Sequence, residues 1–251
     1  MTPLPASLPP AVQVIAMHGW AGDSRAWGPW LQASAPLGWC WDCGERGYGG
    51  LPPHRPRWQD RGGRRLLITH SMGPLLLPPS LLAEAEAVVL LAGFSRFVPP
   101  GPAGRRLNLA LERMQQRLRP AAPGEAEALA AARAGEQLRE FLVQAAAPAP
   151  TSALPAGPEQ TPLDPLGRAR LLQDLQRLQQ CRDLPSGFPE QGPVLCVQAG
   201  EDRILLPEAR ELLRQRLPRA EQLLLPGAGH ALLQTGVIAA VLEWSQAVLH
   251  A

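Results

Sequence analysis

Lysine is absent from this chain. All 24 basic residues are arginine, and against 22 acidic residues they leave a formal net charge of +2. So even a balance argues against a general nucleic-acid binder, whose phosphate contacts need a concentrated positive face. No apolar run is long enough to cross a bilayer. The N-terminal stretch MTPLPASLPPAVQVIAMHGW also lacks the charged n-region and long apolar h-region of a secretory signal. A cytoplasmic protein with no membrane partner is expected. Cysteine is scarce too, and 251 residues bury enough core to fold without disulfides. Of the four, Cys40 and Cys43 are spaced C-x-x-C, while Cys181 and Cys196 stand alone. With no second pair and no spaced histidines nearby, the expectation is no metal site, and buried cysteines on strands.

What the chain does contain is a set of short apolar runs, each ending in Gly, Asp or Ser: Val12 to Met17, Trp39 to Trp41, Leu66 to Thr69, Val88 to Leu91, Val194 to Val197 and Gln222 to Leu225. Near-continuous apolar runs separated by helical stretches read as parallel strands buried on both faces. The fold class is therefore α/β, a doubly wound sheet flanked by helices. About a hundred residues separate the fourth run from the fifth, far more than a crossover helix needs. Residues 1–94 and 191–251 are read as the core, and 95–190 as a helical cap inserted over the sheet's C-terminal edge. Within the insert Leu107, Leu111, Met114 and Leu118 mark one helical face, the Ala-rich segment from Glu125 to Ala146 another, and Leu171, Leu175 and Leu178 a third. The Pro-rich passage APAPTSALPAGPEQTPLDP reads as a mobile linker.

Open α/β sheets carry their chemistry outside the carboxyl ends of the strands. The polar residues found there are His18-Gly19-Trp20 after the first run, Ser71 after the third, Glu201-Asp202 after the fifth and Gly229-His230 after the sixth. A serine hydroxyl is a weak nucleophile until a histidine takes its proton, and that histidine needs a carboxylate to hold its tautomer and charge. Ser71, Asp202 and His230 follow the chain order nucleophile, acid, histidine. Glu201 and Asp183 are rival acids. The strand pleat turns Glu201 the other way, and Asp183 precedes its strand instead of ending it.

These motifs resemble the α/β-hydrolase superfamily along the chain from Val12 to the C-terminal helix. Within it, HGWAGDSRAW, REFLVQ (139–144) and LQDLQRLQQCRDL (172–184) are most similar to the BioH-type pimeloyl-[acyl-carrier-protein] methyl ester esterases of biotin synthesis. The resemblance implies a cofactor-independent, monomeric serine carboxylesterase. Its oxyanion donors would be the backbone N–H groups of Trp20 and Met72. The Trp20 indole and Phe141 would line the acyl pocket, and His18 would brace the oxyanion loop. A serine hydrolase of other acyl esters or thioesters, and a ligand-binding protein on the same fold, are the alternatives.

One residue departs from the pattern. The serine turn LITHSMG carries Thr69 where a glycine is favoured, a branched side chain in place of a hydrogen. A strain of about 1 kcal/mol is expected there. His70 is expected to pack beneath the turn, and His54 and His250 to lie on the surface. The first cap helix carries Arg105, Arg106, Arg113, Arg117 and Arg119 against one acid, Glu112. A basic stripe of this kind is either a solvated face or a docking surface for an acidic partner. The resemblance implies acyl-carrier protein as that partner, with Arg113, Arg117 and Arg139 as substrate-binding residues and Arg133 extending the surface.

Overall fold

The computed structural model describes residues 12–60, 62–233 and 235–250. The leader-free reading of residues 1–11 lies outside them. Six strands form one fully parallel sheet in the order β2-β1-β3-β4-β5-β6: β1 (Val12–Met17), β2 (Cys40–Gly44), β3 (Arg64–His70), β4 (Ala87–Leu91), β5 (Val194–Ala199) and β6 (Glu221–Leu225). The central strands β1, β4 and β5 are buried at every position, as a parallel sheet covered on both faces requires. β2 starts one residue later than the sequence suggests and runs on to Gly44. It is an edge strand, and its half-buried residues blur the apolar run.

Two apolar clusters sandwich the sheet. On one face Val14, Ile68 and Val89 meet Trp27, Trp30 and the helices α1 (Gly28–Ser34) and α7 (Thr235–His250). On the other, Ile15, Leu67 and Val88 meet α2 (Pro79–Ala83) and α6 (Pro207–Arg216). Successive strand residues thus face opposite clusters, as strand geometry dictates. Chain order runs from β1 out to β2 on one side and back to β3 on the other. The crevice beyond the carboxyl ends of β1 and β3 is therefore the topological switch point, where such sheets bind ligands.

Over that crevice sits the segment between β4 and β5, with α3 (Pro102–Leu118), α4 (Glu127–Ala146) and α5 (Pro165–Gln180). The three apolar faces expected of it, two leucine-rich and one alanine-rich, converge in a third cluster, with Leu111, Leu138 and Leu171 against Trp20, Tyr48 and Met72 of the core. The Pro-rich passage is not a loose tether. Leu163 and Pro158 are buried, and Gly157 accepts a hydrogen bond from Arg25 of the core at 2.9 Å.

The cysteines need a correction. All four are free thiols, but Cys181 caps the C-terminus of α5 instead of lying on a strand, and Cys40 and Cys43 are only half buried. Of the four, Cys196 alone is a fully buried strand residue.

Candidate active site

Ser71 directly follows β3, and its φ of 53° places a non-glycine residue in the left-handed region. That conformation costs free energy and persists only where the surroundings impose it. Here the Ser71 N–H donates to the Leu91 carbonyl at 2.8 Å, and the side chain is pressed against Gly19: a Cβ on that glycine would come within 2.9 Å of the Ser71 Cβ. The sharp turn brings Thr69 and Gly73 face to face. A Cβ on Gly73 would lie 3.0 Å from that of Thr69 and 2.6 Å from the Met17 carbonyl oxygen. One of the two positions must be small, and Gly73 is. Thr69 is accommodated, fully buried, with Oγ1 directed at the Val89 carbonyl at 3.5 Å.

The loop after β1 is braced by His18. Its Nε2 accepts from the Arg46 N–H at 3.1 Å, so Nδ1 carries the proton and donates to the Gly19 carbonyl at 2.8 Å. With that carbonyl pinned, the same peptide unit presents the Trp20 N–H on its opposite side. Among the described residues neither this N–H nor that of Met72 finds a protein acceptor. The Trp20 indole N–H donates to the Leu171 carbonyl of α5 at 2.9 Å, and the ring packs edge-on to Phe141 at 4.7 Å.

His230 is buried, and its Nδ1 donates to Asp202 Oδ2 at 2.8 Å. Burial raises the affinity of Asp202 for a proton. The facing His230 and the N–H groups of Leu205 and Ile204 outweigh it, so the carboxyl titrates below its usual range. The rival acids are elsewhere: Glu201 is exposed, and Asp183 pairs with Arg216 at 2.8 Å. Three contacts hold the His230 loop. His70 Nε2 donates to the His230 carbonyl at 2.9 Å, the Ala231 N–H to Ala145 at 3.1 Å, and the Trp30 indole to Leu233 at 3.0 Å. Burial, together with the neighbouring His230, drives His70 down to about 3, so it is neutral in the fold. No hydrogen bond joins Ser71 Oγ to His230 among the described residues. In unliganded sites such bonds commonly tighten only once substrate is bound.

Two cavities lie on either side of Trp20 and Phe141, which line both. The larger, about 470 Å³, opens at Ser71 beneath α3 and α4 and is walled chiefly by Leu107, Leu111, Met114 and Leu178. The smaller, about 70 Å³, lies beside His230 and His70. Of the residues assigned to substrate by resemblance, Phe141 lines the larger cavity, but Arg113, Arg117 and Arg139 line neither. Arg113 and Arg139 are exposed on the insert's outer surface. Arg117 is not free at all, since it bridges Glu136 at 2.9 Å and Glu140 at 2.6 Å. Arg133 is likewise engaged, by Glu125 and the Arg117 carbonyl. The first cap helix has a single acid of its own, and α4 and the turn before it supply the partners of Arg117 and Arg133.

Solved structures resemble the chain over nearly its whole length. A thermophilic esterase from Thermogutta terrifontis matches with a TM-score of 0.57 at 17% identity, covering 94% of this chain and 90% of its own. A lipase-esterase related protein from Clostridium acetobutylicum matches at 0.59 and 16%, covering 94% of each chain. The fold is the α/β-hydrolase fold. The bottromycin epimerase BotH, solved with bottromycin A2, matches as well, at 0.58 and 16% identity over 96% of this chain and 91% of its own. The scaffold alone therefore does not name a reaction. The chain matches no protein-family model and no curated protein significantly.

Sequence reasoning overlooked four polar residues of the larger cavity, Gln137, Glu140, Gln144 and Arg203. Gln137 had a signal: it interrupts the inward stripe Ala134, Leu138, Phe141 of α4 with an amide. Arg203 had none, because nothing in the sequence says which way a loop side chain turns.

Proposed function

We propose that the chain is a serine hydrolase of carboxylic esters, with Ser71 as nucleophile, His230 as base and Asp202 as its orienting acid. The observation that carries the reading is the strained Ser71 turn, open to a large apolar cavity, whose neighbouring His70 holds the loop of a buried His–Asp pair. His230 takes the Ser71 proton as Oγ attacks the ester carbonyl. The developing oxyanion is held by the unclaimed N–H groups of Trp20 and Met72, the type of contact that contributes most to lowering such barriers. His230 then gives its proton to the departing alkoxide, leaving an acyl-serine. Water, deprotonated by His230, attacks that acyl group and releases the acid.

The two cavities divide the ester. The acyl chain suits the larger one, whose volume is that of a ligand pocket. The alcohol leaves on the His230 side, into the smaller cavity. The narrower reading, the methyl ester of pimeloyl-acyl-carrier protein, is supported by the unpaired Arg113 and Arg139 on the insert's surface. Methanol release from that substrate tests both levels. Turnover is expected, with a drop on the order of 10⁴-fold or more in Ser71→Ala. Labelling of Ser71 by a fluorophosphonate without methanol release would keep the hydrolase and discard the substrate. Neither labelling nor turnover of any ester would leave a ligand-binding protein.

A further inference from the structure

A separate cavity of about 490 Å³ lies between α5 and the loops that follow β2 and the Ser71 turn, and it shares no lining residue with the two cavities beside Trp20. Four arginines line it, Arg46 and Arg55 from the loop after β2 and Arg170 and Arg177 from α5. Independent contacts tie them to one place. Arg46 Nε and Arg177 Nε share the carboxylate of Asp174, at 2.6 and 3.6 Å. Arg170 Nη1 donates to the carbonyl of Gly47, the residue after Arg46, at 2.6 Å. Glu45 and His54 exchange two backbone hydrogen bonds of 2.9 Å, so Arg46 and Arg55, each one residue further on, are held beside the same bridge. Carboxylates do not balance this charge. The acid in the wall, Glu45, is buried and already accepts from the N–H groups of Ser24 and Gly47. Asp174 serves Arg46, Arg177 and the Tyr48 hydroxyl, and His54 has Asp42 to itself. Arg55 and Arg170 have no carboxylate within ion-pair distance among the described residues. Four guanidiniums against Glu45 and Asp174 leave an excess of two positive charges around one cavity.

We infer that this cavity is a binding site for an organic phosphate monoester, with the phosphate among the arginines and the organic body against the rest of the wall. Like charges gathered in one place repel, and an anion that bridges them removes that cost. A phosphate monoester carries close to two negative charges at neutral pH, which matches the excess, and its oxygens fit the forked guanidinium donors. The remaining wall is chiefly apolar, prolines from the loop after β2 and leucines from the turn after Ser71. The volume is that of a ligand pocket and leaves room for more than a bare phosphate. The site is independent of Ser71 and of the hydrolase reading.

Titration calorimetry of the full chain with four probes tests this: naphthyl phosphate, the monoanion naphthalenesulfonate, neutral naphthol, and inorganic phosphate. Naphthyl phosphate should bind with one-to-one stoichiometry. The other three should bind at least about tenfold more weakly, since each lacks the second charge, all charge or the organic body. Arg55→Ala and Arg177→Ala remove exposed side chains and are expected to fold, and each should weaken naphthyl phosphate by about fivefold or more. Arg113→Ala, on the outer surface of α3, should leave its binding unchanged. No heat from naphthyl phosphate at several millimolar would overturn the inference, as would binding that survives both cavity substitutions. Equal losses in Arg113→Ala and Arg55→Ala would overturn it too, by tracing the binding to diffuse surface charge. Naphthol or the sulfonate bound as tightly as naphthyl phosphate would refute recognition of a dianion, and inorganic phosphate bound as tightly would refute the organic body.

Discussion

At the scale of single residues the serine turn is a packing problem with two solutions, and this chain uses one of them. Thr69 occupies the space a second glycine would leave open, and Gly73 alone provides the clearance. Thr69→Gly should therefore leave the proposed esterase activity within a few-fold of wild type while costing about 1 kcal/mol of stability through added backbone freedom, read by urea denaturation. Gly73→Ala should do the opposite to function. Its Cβ would press on the Met17 carbonyl and Thr69, displace the turn and lower kcat/KM by 10² or more. The reverse pattern would mean that Thr69 is the weak point of the site. His70 adds a pH signature. Its folded-state proton affinity is held down to about 3, below the ordinary value of 6.5, so the unfolded chain takes up the proton first as pH falls. The stabilisation is complete above about 6.5 and drains away below it at about 1.4 kcal/mol per pH unit. Asp202, with its lowered affinity, adds a loss only below the usual carboxylate range. Between pH 7 and pH 5 the wild type should lose about 2 kcal/mol more than His70→Asn. Equal losses in parallel denaturation curves would show that His70 is not neutral in the fold.

At the scale of elements, one buried acid is a main strut between the insert and the core. Asp174 of α5 is fully buried and accepts from Arg46 Nε at 2.6 Å and from the Tyr48 hydroxyl at 2.9 Å, both on the loop after β2. Removing one member of such a group strands the others without a partner. Asp174→Ala should cost about 3 kcal/mol, and because α5 also holds the Trp20 indole, KM should rise along with it. A variant with unchanged stability would show that the strut is dispensable. This strut was illegible in the sequence. Asp174 lies far along the chain from Arg46 and Tyr48, and no periodicity announces an ion pair between distant segments. The strands were legible because burial on both faces writes itself as a continuous apolar run, and the blurred one was the edge strand β2. The existence of the insert was legible from spacing alone. Its internal charge pairing was not, since Glu136 and Glu140 lie on a different helix from the arginine they neutralise. For the same reason three strand ends could suggest Ser71, Asp202 and His230, while only coordinates could put Gln137 and Arg203 in one cavity.

At the scale of the whole molecule, a net charge of +2 conceals an uneven distribution. Arg105, Arg106, Arg113 and Arg119 stand exposed on or beside α3 with no acidic partner among the described residues, and Arg139 does so on α4. Arg117 and Arg133 are already neutralised. If an acidic carrier protein brings the ester, the encounter is steered by the unpaired set, and such steering weakens once the Debye length contracts. Raising ionic strength from about 50 to about 500 mM should then lower kcat/KM for a carrier-borne ester by roughly tenfold. The same change should leave a neutral small ester unaffected. Charge reversal at Arg113 or Arg139 should reproduce the loss at low salt and remove most of the remaining salt dependence. Arg117→Ala should not, because its guanidinium is spent within the insert. Stopped-flow or steady-state turnover across a salt series decides between the two outcomes. Salt-independent turnover of the carrier-borne ester would make the arginine surface a solvated face, and would leave the Ser71 cavity to select its substrate without a docking partner.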